Sequence, residues 1–106
     1  MYGIEELIAL AAEKRASDVH LIAGLPPKCR IDGRIETLTD GGLTREDCEE
    51  YGRQLAGNAA DQIEAIGQLD FSASFAGRRL RVNLFRQQGA LSCGAFLSPL
   101  FFALLM

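Results

Sequence analysis

One histidine, three cysteines and a run of arginines are the side chains here whose chemistry goes beyond packing. His20 lies between two apolar residues in "SDVHLI". A neutral imidazole can bind a metal or move a proton near neutral pH. A metal site needs a set of Cys, His or carboxylate partners at ligand spacing, and the sequence places no such set around His20. A Ser-His-Asp triad can be written on paper from the many serines, but nothing brings those residues together. Cys29, Cys48 and Cys93 are odd in number, widely spaced and without a C-x-x-C. That argues against a disulfide framework and a zinc site, and for free, buried thiols in a reducing compartment. No Walker A loop, no G-x-G-x-x-G after a strand and no H-E-x-x-H occurs. Read residue by residue, the chain offers no enzyme.

The arginines are the strongest local signal. Arg78, Arg79, Arg81 and Arg86 crowd the stretch "RRLRVNLFR". On a strand, Arg79 and Arg81 project from one face, and Asn83 and Phe85 continue that stripe. Guanidinium groups suit two-pronged contact with phosphate or carboxylate oxygens. A basic strand with an aromatic can also stack single-stranded nucleic acid. The plainer alternative is a solvated face paired with the acidic cluster Glu46, Asp47, Glu49 and Glu50, itself readable as a solvated helical turn.

The elements that must position these residues follow from periodicity. Ile4, Leu7, Ile8 and Ala11 recur at helical spacing and predict a helix over residues 3–15, with Glu5 and Glu6 at its start and Lys14 and Arg15 at its end. Val19 and Leu21 then alternate with Asp18 and His20, a half-buried strand that "AGLPP" ends. "KCRIDGRIETL" predicts a hairpin. A two-residue turn at Asp32-Gly33 sets Ile31 opposite Arg34; a three-residue loop pairs Cys29 with Ile35 and Arg30 with Arg34. The second register keeps apolar side chains together and is preferred. Thr44 and Asp47 frame a helix start, Gly57 ends that helix, and a short second helix over 59–66 stops at Gly67. Leu69, Phe71, Ala73 and Phe75 alternate with polar residues. Leu80, Val82 and Leu84 follow after an Ala76-Gly77 turn, and Leu91, Cys93, Ala95 and Leu97 complete an antiparallel meander. The order predicts an α+β fold with helices on one face of an antiparallel sheet.

The chain has 106 residues, 48% hydrophobic and 24% charged, with a formal charge of −3. That is one domain of ordinary globular composition, and its charge does not suggest a nucleic-acid coat. "MYGIEELIALAAEKR" lacks the basic and apolar regions of a signal peptide. The C-terminal "LSPLFFALLM" is too short to span a bilayer. A cytoplasmic protein is expected.

"ASDVHLIAGLPPKCRIDGRI", followed about thirty residues later by "LDFSASFAGRRLRVNLFRQQGA", resembles the N-terminal domain of type IV pilus retraction ATPases, the PilT family of the secretion ATPase superfamily. The "ASDVHL" motif is similar across that superfamily, and the "GLPP…R.DG" continuation resembles the retraction branch. The resemblance covers about residues 1–96. It implies a PAS-like domain over 1–97, joined in the full-length family to a RecA-like ATPase domain. Six subunits form a ring whose N-terminal domains move as ATP turns over, driving pilus disassembly and twitching motility. It further implies that Arg81, and more weakly Arg79 and Arg78, point toward nucleotide phosphates near the domain interface. ATP and magnesium belong to the full-length ring.

The implied partners are ATPase domains of the same and neighbouring subunits and pilus platform proteins at the inner membrane, where the assembly would be peripheral. No nucleic-acid partner is expected. The chain stops before any Walker A region, so no ATP hydrolysis is expected of it alone. Residues 98–106 read as an atypical apolar tail, a truncated or altered linker that could mediate dimerisation. A free-standing PAS-like interaction module is the alternative reading.

Overall fold

The computed structural model describes residues 2–75 and 77–97. Helix α1 (Ile4–Glu13) leads into β1 (Asp18–Leu21), β2 (Lys28–Ile31) and β3 (Arg34–Thr37). Helix α2 (Arg45–Ala56) follows, then a 3-10 turn (Gly57–Gln62) and the single-turn α3 (Ile63–Ile66). The meander β4 (Gln68–Phe75), β5 (Arg78–Gln87) and β6 (Ala90–Phe96) closes the domain. The six strands form one antiparallel sheet in the order β3-β2-β1-β6-β5-β4. The α+β class predicted from the sequence is the class observed.

Helix α1 buries Ile4, Leu7, Ile8 and Ala11, the four residues whose spacing predicts it. Its end falls before Lys14, and Arg15 takes a left-handed φ of 59°. There Arg15 N donates to Ala12 O at 3.0 Å and Ala16 N to Ala11 O at 2.9 Å. This pair of bonds satisfies the last carbonyls of the helix. The start of α1 is tied to α2: Ile4 N donates to Gln54 Oε1 at 3.1 Å and the Tyr51 hydroxyl to Tyr2 O at 2.6 Å. Helix α2 opens with the expected capping box, Asp47 N donating to Thr44 Oγ1 at 3.0 Å and Thr44 N to Asp47 Oδ2 at 2.9 Å. Its buried face is Cys48, Tyr51, Gly52 and Leu55.

Both long helices cover one side of the sheet. Val19, Leu21, Cys29, Leu80, Val82, Leu84, Leu91, Cys93 and Ala95 meet them there, nearly or completely buried. All three cysteines are free and buried, as expected. Desolvation pushes the Cys48 thiol up to about 11 and the Cys93 thiol up to about 12.

The β2–β3 hairpin departs from the preferred register. Ile31 pairs with Arg34, Arg30 with Ile35 and Cys29 with Glu36. Asp32 (φ 51°) and Gly33 (φ 80°) both lie in the left-handed region. That is the two-residue type I′ turn, whose twist matches that of the strands. Keeping apolar residues together loses to turn geometry because β3 is an outer strand with all four residues exposed, so it has no buried face to satisfy. The Gly24-Pro27 segment is held in place by its backbone. Gly24 N donates to Leu43 O at 2.8 Å, Leu43 N to Leu25 O at 2.9 Å and Leu38 N to Pro27 O at 2.8 Å.

Candidate functional site on the open face of the sheet

The side of the sheet away from the helices carries most of the polar chemistry. Strand alternation places Arg79, Arg81, Asn83 and Phe85 of β5 there. Neighbouring strands add Asp70, Gly94, Phe96, Asp18, His20 and Arg30 in register: Asn83 lies opposite both Asp70 and Gly94, Gly94 opposite His20, and Phe96 opposite both Arg81 and Asp18. The four arginines that look like one cluster in sequence are therefore divided. Arg79 and Arg81 face the open side, while Arg78 and Arg86 point to the helical side.

Arg86 is bound on that helical side. It donates to Glu49 of α2 and to Glu64 of α3, which hold its guanidinium pKa up. The pairing of a strand arginine with the acidic helix is thus seen at Arg86. Arg81 instead pairs along its own face, its Nε and Nη2 each 3.2 Å from the two oxygens of Asp70. The hydrogen bonds that Arg81 donates to Asp70 raise its guanidinium pKa. Both side chains are about half exposed, at 48% and 50%. Asp70, Arg81, Asn83 and Phe96 line a shallow depression of about 470 Å³. Phe96 is 47% exposed there, a large aromatic surface beside a guanidinium. Arg78 and Arg79 are both exposed and make no ion pair with another described residue.

A second polar group sits at the middle of the same face. Asp18 is only 3% exposed, although it is charged. Its Oδ1 accepts from Ser17 Oγ at 2.6 Å and faces Arg30 Nε at 3.3 Å, and its Oδ2 meets His20 Nε2. A buried carboxylate requires such partners. His20 is therefore a locally hydrogen-bonded strand residue in the "ASDVHL" motif. Gly94 keeps the strand beside the ring bare: a Cβ there would stand 4.0 Å from His20 Nδ1. Asp18, Arg30 and Asp70 are the residues that sequence reasoning did not single out. Asp18 and Asp70 sit at the polar positions of alternating strands, where a solvated side chain and a partnered one read alike.

A separate cleft of about 490 Å³ opens at the end of the sheet, among Gly24, Thr44, Arg45, Gln87, Gln88 and Ser92. None of the sequence-predicted arginines lines it. Among the described residues, no group of three or more His, Cys, Asp or Glu could hold a metal ion. No helix among them is long and apolar enough to cross a membrane.

Among the described residues, helices cover one face of the sheet and the other face bears Arg79 and Arg81. No family model matches the sequence. Known proteins do. The chain is 35% identical over 86 residues to the type IV pilus retraction ATPase PilT of Pseudomonas aeruginosa, an alignment covering 79% of this chain and 25% of PilT. It is also 35% identical over 101 residues to the uncharacterized protein YggR of Escherichia coli K12, covering 92% of this chain and 29% of YggR. The crystal structure of the pilus retraction motor PilT with bound ADP superposes with a TM-score of 0.84 at 38% identity, over 93% of this chain and 30% of that one. The ATPase DotB of Legionella pneumophila shares the fold, with a TM-score of 0.78 at 21% identity over 91% of this chain and 28% of DotB. By sequence and fold the chain is homologous to the N-terminal region of PilT, and it shares the fold of that region with DotB. It spans between a quarter and a third of the length of these relatives.

Proposed function

We propose that this domain is the N-terminal regulatory and assembly unit of a hexameric type IV pilus retraction ATPase, coupling ATP turnover to domain movement without catalysing it. The observation that carries the reading is the match to the ADP-bound retraction motor over 93% of the chain. ATP and its magnesium, when bound, supply the phosphoryl chemistry in the ring. Among its described residues this domain has no phosphate-cradling loop, so it would contribute one wall of a nucleotide site. Arg81 fits that part. Its guanidinium is half exposed and already holds a carboxylate in two-pronged geometry, and Asp70 stands where an anionic oxygen pair would dock. In the ring, Arg81 would exchange Asp70 for a phosphate oxygen, and the open sheet face would bear on a neighbouring ATPase domain. Arg79 shares that face, whereas Arg78 lies on the other and is the weaker partner. The assembly would work in the cytoplasm, against platform proteins at the inner membrane.

The reading is tested by replacing the corresponding region of P. aeruginosa PilT with this domain, then measuring ring assembly and ATPase turnover. The chimera is expected to assemble and turn over, and Arg81→Ala within it to lose at least about tenfold in turnover, one donor to developing charge being worth that much or more, with hexamers intact. A chimera that fails to assemble although the domain is folded rejects the assembly role. Full turnover in the Arg81→Ala chimera rejects the phosphate contact.

A further inference from the structure

The sheet has two outer strands, and they are guarded differently. β3 is four residues long and carries Arg34 and Glu36, two common devices against edge-to-edge pairing. β4 has eight residues and pairs with β5 residue for residue, without a bulge. Its sequence, "QLDFSASF", contains no Lys, Arg or Pro. Its single charge, Asp70, is engaged by Arg81.

The groups this edge offers can be assigned. Arg86 N donates to Gly67 O at 3.3 Å. Bonded and non-bonded pairs alternate along an antiparallel ladder, so Leu69, Phe71, Ala73 and Phe75 direct their amides and carbonyls toward β5. Gln68, Asp70, Ser72 and Ser74 turn theirs outward. On the helical side Leu69, Phe71, Ala73 and Phe75 pack against the core but remain only partly buried. An apolar stripe thus lies half open along a row of backbone groups that no other described residue pairs.

We propose that this edge binds a second copy of the chain, β4 to β4, antiparallel about a two-fold axis through Ser72. An axis perpendicular to the sheet keeps both helical layers on the same side, so helix-side residues must meet helix-side residues. With Ser72 on the axis, Leu69 meets Phe75 and Phe71 meets Ala73, which extends the apolar stripe across the junction. Asp70 meets Ser74, so no two carboxylates oppose each other. The outward backbone groups also match, Ser72 with its own copy and Asp70 with Ser74. The strand is complementary to itself in shape of pattern, charge and hydrogen bonding, which selects a second copy over an unrelated peptide. The contact does not depend on the ring or on Arg81.

The test is sedimentation of the full chain over a range of concentrations. The parent is expected to show a reversible monomer–dimer equilibrium. Ser72→Pro removes an outward N–H that β5 does not use, and Ser72→Lys sets two cations face to face on the axis. Each is expected to raise the dimer dissociation constant at least about tenfold with an unchanged circular dichroism spectrum, while Ile35→Lys on β3 leaves it unaltered. A parent that stays monomeric up to roughly 1 mM overturns the proposal. So does a dimer that survives both Ser72 variants, as one held by residues 98–106 would. Dissociation caused by Ile35→Lys overturns it as well. Should Ser72→Pro fail to fold, Ser72→Lys decides alone.

Discussion

Gly52 sits in the interior of α2, where glycine ordinarily costs about 1 kcal/mol relative to alanine. Helix propensity alone therefore predicts that Gly52→Ala stabilises the domain by about that amount. Packing predicts the opposite. A Cβ on Gly52 would lie 2.3 Å from Leu91 Cδ2 and 3.6 Å from its Cγ, with Leu84 Cδ1 at 3.9 Å. Carbon atoms sit best at roughly 3.5–4.0 Å, so the first contact is a steep overlap. Leu91 is 2% exposed and Leu84 fully buried, so the leucine has no solvent into which it can swing. Overpacking of this kind costs roughly 1–3 kcal/mol. Set against the helical gain, Gly52→Ala should destabilise by about 1 kcal/mol, lowering the thermal midpoint by roughly 4–8 °C for a domain near this size. Urea unfolding of four proteins reads the result: parent, Gly52→Ala, Leu91→Val and the double variant. Valine has no δ carbon, so in the Leu91→Val background Gly52→Ala should turn stabilising. The change of sign is the coupling between the two positions. A more stable Gly52→Ala in the parent background would falsify the close approach of α2 to β6.

Four further outcomes follow from the same structure. Thr44→Ala removes one half of the capping box and should cost about 1 kcal/mol in urea unfolding. Asp18→Ala strips Ser17, His20 and Arg30 of their shared acceptor; because Arg30 and His20 are 43% and 32% exposed and keep access to water, the loss should be about 1–2 kcal/mol, below that of a fully buried pair. An Asp18→Ala protein as stable as its parent would remove the buried carboxylate from the account. Cys48 and Cys93 stay protonated in the fold to about 11 and 12, against an ordinary 9, because burial disfavours the thiolates. Above pH 9 the unfolded chain releases these protons and the folded one does not, so stability is full below pH 9 and falls as pH rises toward 11–12. Alkaline urea titrations should show this fall, and Cys48→Ala and Cys93→Ala should each flatten it. At pH 8 the native thiols should react with a disulfide reagent only as fast as the domain opens.

Much of the fold was legible because its elements are strongly periodic. Four apolar residues at helical spacing marked α1, Thr44 and Asp47 marked the start of α2, and the unbroken alternations of β4, β5 and β6 marked the meander. The β2–β3 register escapes prediction by apolar pairing, which holds only where the two faces of a strand meet different environments. An outer strand has no such difference, and a left-handed Asp32-Gly33 pair then decides. The site was legible only in part. The two-residue period separates Arg79 and Arg81 from Arg78 and Arg86, but nothing in sequence shows that Asp70 lies within reach of Arg81, because that depends on strand pairing. Gly52 is also opaque in one dimension: a glycine inside a helix reads as a weakness until the leucine opposite it is known.

The strand order also bears on how the chain acquires its structure. β1, β2 and β3 pair with near neighbours in sequence, and so do β4, β5 and β6. Among the described strands the two groups pair with each other at the seam between β1 and β6, where Val19 lies opposite Ala95. Each group can zip locally, whereas the seam must close the longest loop in the domain, which makes it the slow and entropically costly contact. During synthesis α1 and the first three strands emerge long before the strand that completes their sheet. Until residues 93–96 leave the ribosome, β1 remains an outer strand with Val19 and Leu21 uncovered on one flank. The last strand described is therefore the one that turns two local ribbons into a single domain.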